Sequence, residues 1–152
     1  MIEYEKRLTP QQSIGLDLLV NGLGCRQTEA RWSFDYLYDH SYQREVSGGT
    51  VTTTARVIDG AVLVAAKLHS GRETDLRDVL EVAEEINLDA VTPHLRRGDD
   101  DALREQLERG LEILESDELR YGYRSDFGVS AVSEGTVTAL QEYLIEQVNR
   151  LD

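Results

Sequence analysis

Hydrophobic and polar residues alternate most clearly in residues 32–39. Trp32, Phe34, Tyr36 and Tyr38 are separated there by single residues, most of them polar. Alternation with a period of two predicts a β-strand that gathers the four aromatic side chains on one face. We expect this face to lie in the core, because aromatic side chains dominate core burial. A binding surface is the alternative.

Other strands are predicted from shorter runs. Residues 50–58 and 61–69 flank Asp59-Gly60, a dipeptide typical of a β-hairpin turn. The second run has no polar alternation in its centre, which predicts a central strand covered on both faces. Two further short strands are predicted at residues 119–123 and 128–132.

Helical patterns occupy the rest of the chain. Thr9-Pro10 is typical of a helix start, and the apolar residues that follow predict a buried helix over residues 10–21. Gly22 and Gly24 are interpreted as its structural end. Amphipathic helices are predicted from Thr74, over residues 100–116, and from Ser133 to the end of the chain.

These elements predict a single α+β domain over residues 1–152. Their order is α-β-β-β-α-α-β-β-α, which favours an antiparallel sheet of about five strands packed against three to four helices. The order resembles the general layout of secretion-chaperone-like folds, which are dimeric modules that hold other proteins.

Charge changes this picture of a plain globular domain. The chain has 29 acidic and 16 basic residues, a net charge of −13, and all its basic residues except Lys6 and Lys67 are arginines. Acidic surfaces with little lysine suit multimolar salt, where carboxylates hold water and cations. We therefore expect a protein of a halophilic cytoplasm.

Composition also limits the partners. No apolar run approaches the roughly 20 residues that cross a bilayer, so no membrane association is expected. The sequence disfavours nucleic-acid binding, because the best basic cluster, Arg96-Arg97, is followed after one glycine by three aspartates. Cys25 is the only cysteine, which excludes an internal disulfide.

Candidate chemistry is sparse. His40, His69 and His94 lack the spacing of helical zinc ligands. The aspartates Asp99 to Asp101 are interpreted as a helix cap, and Cys25 as a structural residue. The sequence therefore predicts no catalytic residue, cofactor or metal, and it favours a non-enzymatic protein.

Two surfaces are candidate interfaces. Tyr121, Tyr123 and Arg124 combine aromatic and arginine side chains, which are enriched in protein interfaces. The last helix carries a narrow apolar stripe that could contact a second copy or dock within its own chain. The candidate interface residues are Tyr121, Tyr123, Arg124, Leu140, Leu144 and Val148. The leading hypothesis is a homodimeric interaction or adaptor module whose partner is itself or another protein.

The alternative hypothesis is a small-ligand-binding domain or minor enzyme. Its pocket would lie between the sheet and the helices, and a converging set of polar side chains would support it. The residues considered for this pocket are His69, Arg56, Tyr36 and Asp35.

Overall fold

Seven helices and three two-stranded antiparallel sheets form the part of the chain that the computed structural model describes, residues 2–9, 12–18, 21–48, 51–128 and 131–151. The strands are β1 (Ile2–Thr9), β2 (Gln12–Leu18), β3 (Gly22–Gly24), β4 (Arg31–Ser33), β5 (Ser41–Gly48) and β6 (Val51–Ile58). The helices are α1 (Phe34–Asp39), α2 (Gly60–Ser70), α3 (Glu73–Ala83), α4 (Thr92–Leu95), α5 (Asp100–Leu114), α6 (Asp117–Phe127) and α7 (Glu134–Arg150), and a 3₁₀ turn covers Leu88–Val91.

The main core is helical. Leucine and valine residues recur every three to four positions along α3, α5 and α7, so each helix has one apolar side. These sides meet one another and α2, where burial of apolar surface stabilises the body by roughly 25 cal/mol per Å². The core residues on these helices include Val64, Leu68, Leu76, Leu80, Leu103, Leu107, Leu114, Leu140 and Leu144.

A second, smaller core joins the β3–β4 hairpin to α2. Trp32, only 1% exposed, packs there with Ala30 and Val62, and half-buried Tyr36 packs against this group. Gly22 makes the close pairing possible. Its φ is +126°, and a Cβ there would lie 2.1 Å from the carbonyl oxygen of Trp32.

The predicted five-stranded sheet is wrong, and its central strand is the largest error. Residues 61–69 belong to helix α2, which is covered by other helices on most sides. Asp59 accepts a hydrogen bond from the backbone N–H of Ala61 at 2.9 Å, so Asp59-Gly60 begins a helix instead of a hairpin turn. A fully buried helix and a buried strand share the same continuous apolar pattern, which is why the prediction failed.

The predicted helix over residues 10–21 is also contradicted. Gln12–Leu18 is strand β2, which pairs with β1 from Ile2 opposite Leu18 to Thr9 opposite Gln12. Ile14, Leu16 and Leu18 recur with a period of two, the spacing of one strand face. The Pro10 part of the prediction lies outside the described residues.

The aromatic row does not form one strand. Strand β4 ends at Ser33, whose hydroxyl accepts a hydrogen bond from the N–H of Tyr36 and caps α1. Because the backbone turns helical there, the aromatics diverge: Trp32 is buried, while Phe34 is 62% exposed. Neither the core nor the binding-surface interpretation therefore describes all four residues.

The second predicted strand pair is helical. Ser116 caps α6, which runs through residues 119–123 and ends at Gly128 in the left-handed conformation. In the described part of residues 128–132 no strand is found. With the predicted order overturned, the resemblance to secretion-chaperone-like folds has no support.

Several predictions agree with the structure. Helices α3, α5 and α7 lie where the periodicity places them, and Asp99 and Ser133 cap α5 and α7 through their side chains. Strand β6 matches the prediction at residues 50–58 within the described residues. Its partner β5 was not predicted.

Candidate functional site

Strands β5 and β6 form a two-stranded ribbon whose side chains are largely exposed. The register is regular, from Ser41 opposite Ile58 at the base to Gly48 opposite Val51 at the tip. Each strand has eight residues, so the ribbon is roughly 27 Å long at about 3.4 Å per residue. No third strand pairs with it among the described residues.

One side of this ribbon is mostly apolar, although it also carries Arg44 and Thr53. Alternation and register place Tyr42, Val46, Val51, Ala55 and Val57 on the same side, which we call the ribbon apolar face. Tyr42, Val46 and Val51 are 48%, 45% and 66% exposed. Large apolar side chains grouped on an uncovered sheet face are typical of a contact surface.

The base of the ribbon is fixed to α1. Arg56 stacks over the ring of Tyr38, with its Cζ 4.1 Å from the ring centroid, and its Nη1 donates to the carbonyl oxygen of Ser41 at 3.0 Å. The N–H of Asp59 donates to the carbonyl oxygen of His40 at 2.8 Å. These contacts hold the ribbon at a defined position where it leaves the body.

Two histidines and a tyrosine meet beside this base. The Tyr36 hydroxyl lies 2.5 Å from Nδ1 of His94, and the His40 ring lies 4.4 Å from the Tyr36 ring and 4.8 Å from the His94 ring, centroid to centroid. Burial lowers the pKa of His94, and nearby His40 and Arg97 lower it further, whereas Asp59 opposes them. His94 is thus held toward its neutral form.

Arg97 completes this aromatic cluster. Its guanidinium stacks on the Tyr36 ring, with Cζ 3.9 Å from the centroid, and its Nη1 donates to the carbonyl oxygen of Arg31 at 3.3 Å. A guanidinium on an aromatic face is attracted by the ring quadrupole. The cluster therefore links α1, and His40 directly before β5, to α4 and β4.

Charge is distributed unevenly between the two parts of the chain. Residues 1–58, which hold the six strands found among the described residues, contain seven acidic and six basic residues and have a net charge of −1. Residues 59–152 contain 22 acidic and ten basic residues, a net charge of −12. The ribbon itself, with Arg44, Arg56 and Glu45, has a net charge of +1.

The residues predicted as an interface are separated by the fold. Tyr121 and Arg124 are exposed on α6. Tyr123, Leu140 and Leu144 lie in the core, and Val148 packs against it half-buried. The apolar stripe of the last helix is thus used within its own chain, the intramolecular alternative.

The residues predicted for a pocket do not converge. His69 is sealed inside the body, Arg56 lies on the ribbon, Tyr36 lies in the histidine cluster, and Asp35 is exposed in α1. The His69 ring has structural partners: its Nε2 donates to the carbonyl oxygen of Leu95 at 2.7 Å, and Nδ1 lies 2.7 Å from the Thr28 hydroxyl. Burial lowers the pKa of His69, which favours the neutral ring.

Sequence reasoning missed the ribbon, although a signal for it exists. Gly48-Gly49 lies between residues 41–47, where Tyr42 and Val46 are the only strand-favouring residues, and a run rich in Val and Thr, which is a weak hairpin pattern. The approach of His40 to His94 has no such signal, because 53 residues separate them in the chain.

The described residues contain neither a metal-binding group of side chains nor a membrane-spanning helix. No three His, Cys, Asp or Glu side chains in this part of the chain lie close enough to hold a metal ion. No helix within it combines the length and the apolar character needed to cross a bilayer. In comparisons with known proteins, the chain matches no family model, no curated protein and no solved structure.

Proposed function

We propose that this protein is an interaction module that self-associates as a homodimer through the ribbon apolar face. The observation that carries the proposal is the exposure of Tyr42, Val46 and Val51 on one side of a ribbon that no other described strand extends.

A two-stranded ribbon is stabilised when another surface packs against its apolar face and buries it. An isolated two-stranded hairpin is marginally stable in water, and a third strand or a packed surface normally supplies the missing apolar burial. The ribbon has this support at its base, from α1, but Val46 and Val51 lie near its tip. A second ribbon packed on the same face would bury both valines of each copy.

The charge distribution favours a second copy in this position. Two chains of −13 repel each other, and repulsion is weakest where the least negative surfaces meet. The ribbon, at +1, is such a surface, whereas contact through the helical body would bring together two regions of −12. The same face on both copies is the arrangement of a two-fold dimer.

The size of the ribbon limits the expected affinity of the dimer. A face of about 27 Å by 10 Å is smaller than the roughly 800 Å² that each partner buries in a standard stable complex. We therefore expect a weak dimer. Salt should strengthen it, because the Debye length falls to about 3 Å at 1 M and the repulsion between the bodies is screened.

We propose a halophilic cytoplasm as the working environment from the acidic, lysine-poor composition, and the expected salt dependence of the dimer would suit it. The support is physical: carboxylates keep a surface hydrated when salt competes for water, and arginine replaces the longer apolar stem of lysine.

The test is molar mass by light scattering coupled to size exclusion, over a concentration series in about 1 M KCl. We expect the wild-type protein to approach twice the monomer mass as concentration rises. The double variant Val46→Lys/Val51→Lys should stay monomeric, because it replaces two apolar contacts by two further positive charges on a face that already carries Arg44. Both valines are exposed, so the variant should keep its helical circular dichroism.

Ile145→Lys is the matched control. Ile145 is an exposed apolar residue on α7, in the helical body, and this variant should dimerise like the wild type. A wild-type protein that remains monomeric at every concentration, or equal loss of dimer in the ribbon and control variants, would contradict the proposal.

A further inference from the structure

A cleft of about 500 Å³ lies between the β3–β4 hairpin and helices α2 and α3. It belongs neither to the ribbon nor to the histidine cluster. Small-molecule sites in proteins have volumes of about 300–1,000 Å³, so the space is sufficient for an organic molecule of modest size.

The inner lining is apolar. Trp32, Leu63 and Ala66 line the cleft, and each of them is buried or half-buried. They come from two elements that the small core holds together, since Trp32 lies on β4 and the other two on α2. A flat or chain-like apolar group could therefore pack against a rigid wall.

The charged lining is more basic than acidic. Arg26, Lys67 and Arg72 line the cleft together with a single carboxylate, Asp75. This balance is the reverse of the whole chain, in which acidic residues outnumber basic ones by 29 to 16.

Two of the three cations are already paired. Lys67 donates to Asp75 at 2.9 Å and to Asp78 at 2.6 Å, and Arg72 donates to Asp75 at 2.6 Å. Arg26 is exposed and forms no hydrogen bond or ion pair with another residue in the described ranges. Its guanidinium is thus free to pair with an anion that enters the cleft.

We propose that this cleft binds a small amphipathic organic anion, with its apolar body against Trp32, Leu63 and Ala66 and its acidic group paired with Arg26. The ion pair fixes the orientation of the molecule at the exposed end of the cleft, and the apolar contacts supply burial. The site is independent of self-association, because none of its residues belongs to the ribbon.

The chain carries two natural probes of this site. Trp32 is the only tryptophan and Cys25 the only cysteine of the sequence, and both line the cleft. The Cys25 thiol is half-buried and donates to the carbonyl oxygen of His69, at 3.2 Å, or to Gln27. A bound molecule should therefore change the fluorescence of one residue and the alkylation of the other.

The first experiment uses 8-anilinonaphthalene-1-sulfonate, an apolar ring system with one acidic group. We expect saturable energy transfer from Trp32 to the bound probe. Saturating probe should also slow alkylation of Cys25 by iodoacetamide severalfold. Unchanged alkylation at saturation would overturn the proposal, since the probe would then occupy another surface.

Variants separate the charge contribution from the shape of the cleft. Arg26→Gln should weaken probe binding by roughly five- to tenfold, as expected for a partly exposed charge-assisted contact. Arg109→Gln removes the same charge from an exposed position on α5 and should leave affinity unchanged. Equal affinities for the two variants would overturn the role of Arg26.

Ala66→Met tests the apolar wall. The longer side chain should fill part of the cleft and reduce probe binding, while the thermal unfolding midpoint shows that the variant is folded. A folded variant with wild-type affinity and unchanged protection of Cys25 would place the probe outside the cleft and overturn the proposal.

Discussion

At the residue scale, His69 shows how a polar side chain is accommodated in the interior. A carbonyl oxygen can only accept, so the hydrogen bond to Leu95 places the proton of the neutral ring on Nε2. Nδ1 is then an acceptor, and the Thr28 hydroxyl donates to it. Both ring nitrogens are satisfied, and His69 joins the end of α2 to the loop of Thr28 and to the end of α4.

Replacing Thr28 by valine tests this arrangement. Valine has nearly the same shape, but Thr28→Val leaves the buried Nδ1 without a donor, which should lower the free energy of unfolding by about 1–3 kcal/mol. Urea denaturation followed by circular dichroism measures the change. Thr74→Val, at an exposed position of α3, is the control and should change stability by less than about 0.5 kcal/mol. Equal effects would show that the Thr28–His69 bond contributes nothing.

At the element scale, the start of α2 decides the architecture of the chain. Asp59-Gly60 is compatible with both a hairpin turn and a helix start, and the apolar run after it with both a strand and a helix. The helix is selected because α3, α5 and the segment of residues 88–95 surround α2 and bury its apolar side chains. Asp59 then satisfies a free N–H at the first turn.

Removing the Asp59 cap should lower the stability of the fold measurably. Asp59→Ala should lower the free energy of unfolding by about 1 kcal/mol, because an N–H of the first turn loses its acceptor. Asp59→Asn keeps an acceptor at the cap without the charge, so most of the stability should return. Thermal or urea unfolding distinguishes the cases, and an Asn variant as unstable as the Ala variant would show that charge and not capping matters.

At the scale of the whole molecule, the distribution of net charge along the sequence follows the distribution of strands and of the helical body. The strands lie in the nearly neutral part of the sequence, and residues 59–152, which hold the helical body from the cap of α2 onward, carry −12. Repulsion among these negative charges destabilises the folded state when salt does not screen it. Both proposed contact regions, the ribbon and the cleft, include residues of the less acidic part.

Stability should therefore depend on salt. The unfolding midpoint should be lower in about 0.1 M KCl, where the Debye length is about 10 Å, than in about 1 M KCl. Replacing Glu105, Glu112 and Glu115 by glutamine, all exposed in or directly after α5, should raise the midpoint most in dilute buffer. A midpoint that does not respond to salt, or an equal gain at both concentrations, would contradict an electrostatic origin.

The sequence predicted those elements whose signals are local. Helices α5 and α7 have both a side-chain cap and a long apolar stripe, and these two signals agree along each helix. Helix α3 has the stripe, but it begins at Glu73 without a side-chain cap, so the predicted start at Thr74 is wrong by one residue. Strand β6 was also predicted correctly, although its only local signal is a run of β-branched residues. Two errors fall on short runs, residues 61–69 and 119–123, where one pattern fits two structures. The predicted helix over residues 10–21 is a longer error, in a segment that forms strand β2.

For the candidate sites, the sequence identified residue types but not their neighbours. Tyr36 and Arg56 were selected for a common pocket, yet one stacks with histidines and the other with Tyr38. Tyr123 and Leu144 were selected as contact residues and lie in the core. Exposure and neighbourhood depend on how elements pack, which a single sequence does not encode locally.

By itself, the sequence determined the acidic charge, the single cysteine and tryptophan, and the capped amphipathic helices, because these are properties of composition or of one turn of chain. The tertiary structure alone decided that residues 61–69 are a helix, that His40 meets His94, and that the ribbon apolar face is uncovered. Each of these depends on contacts between segments distant in sequence, whose burial energies outweigh the small local preferences.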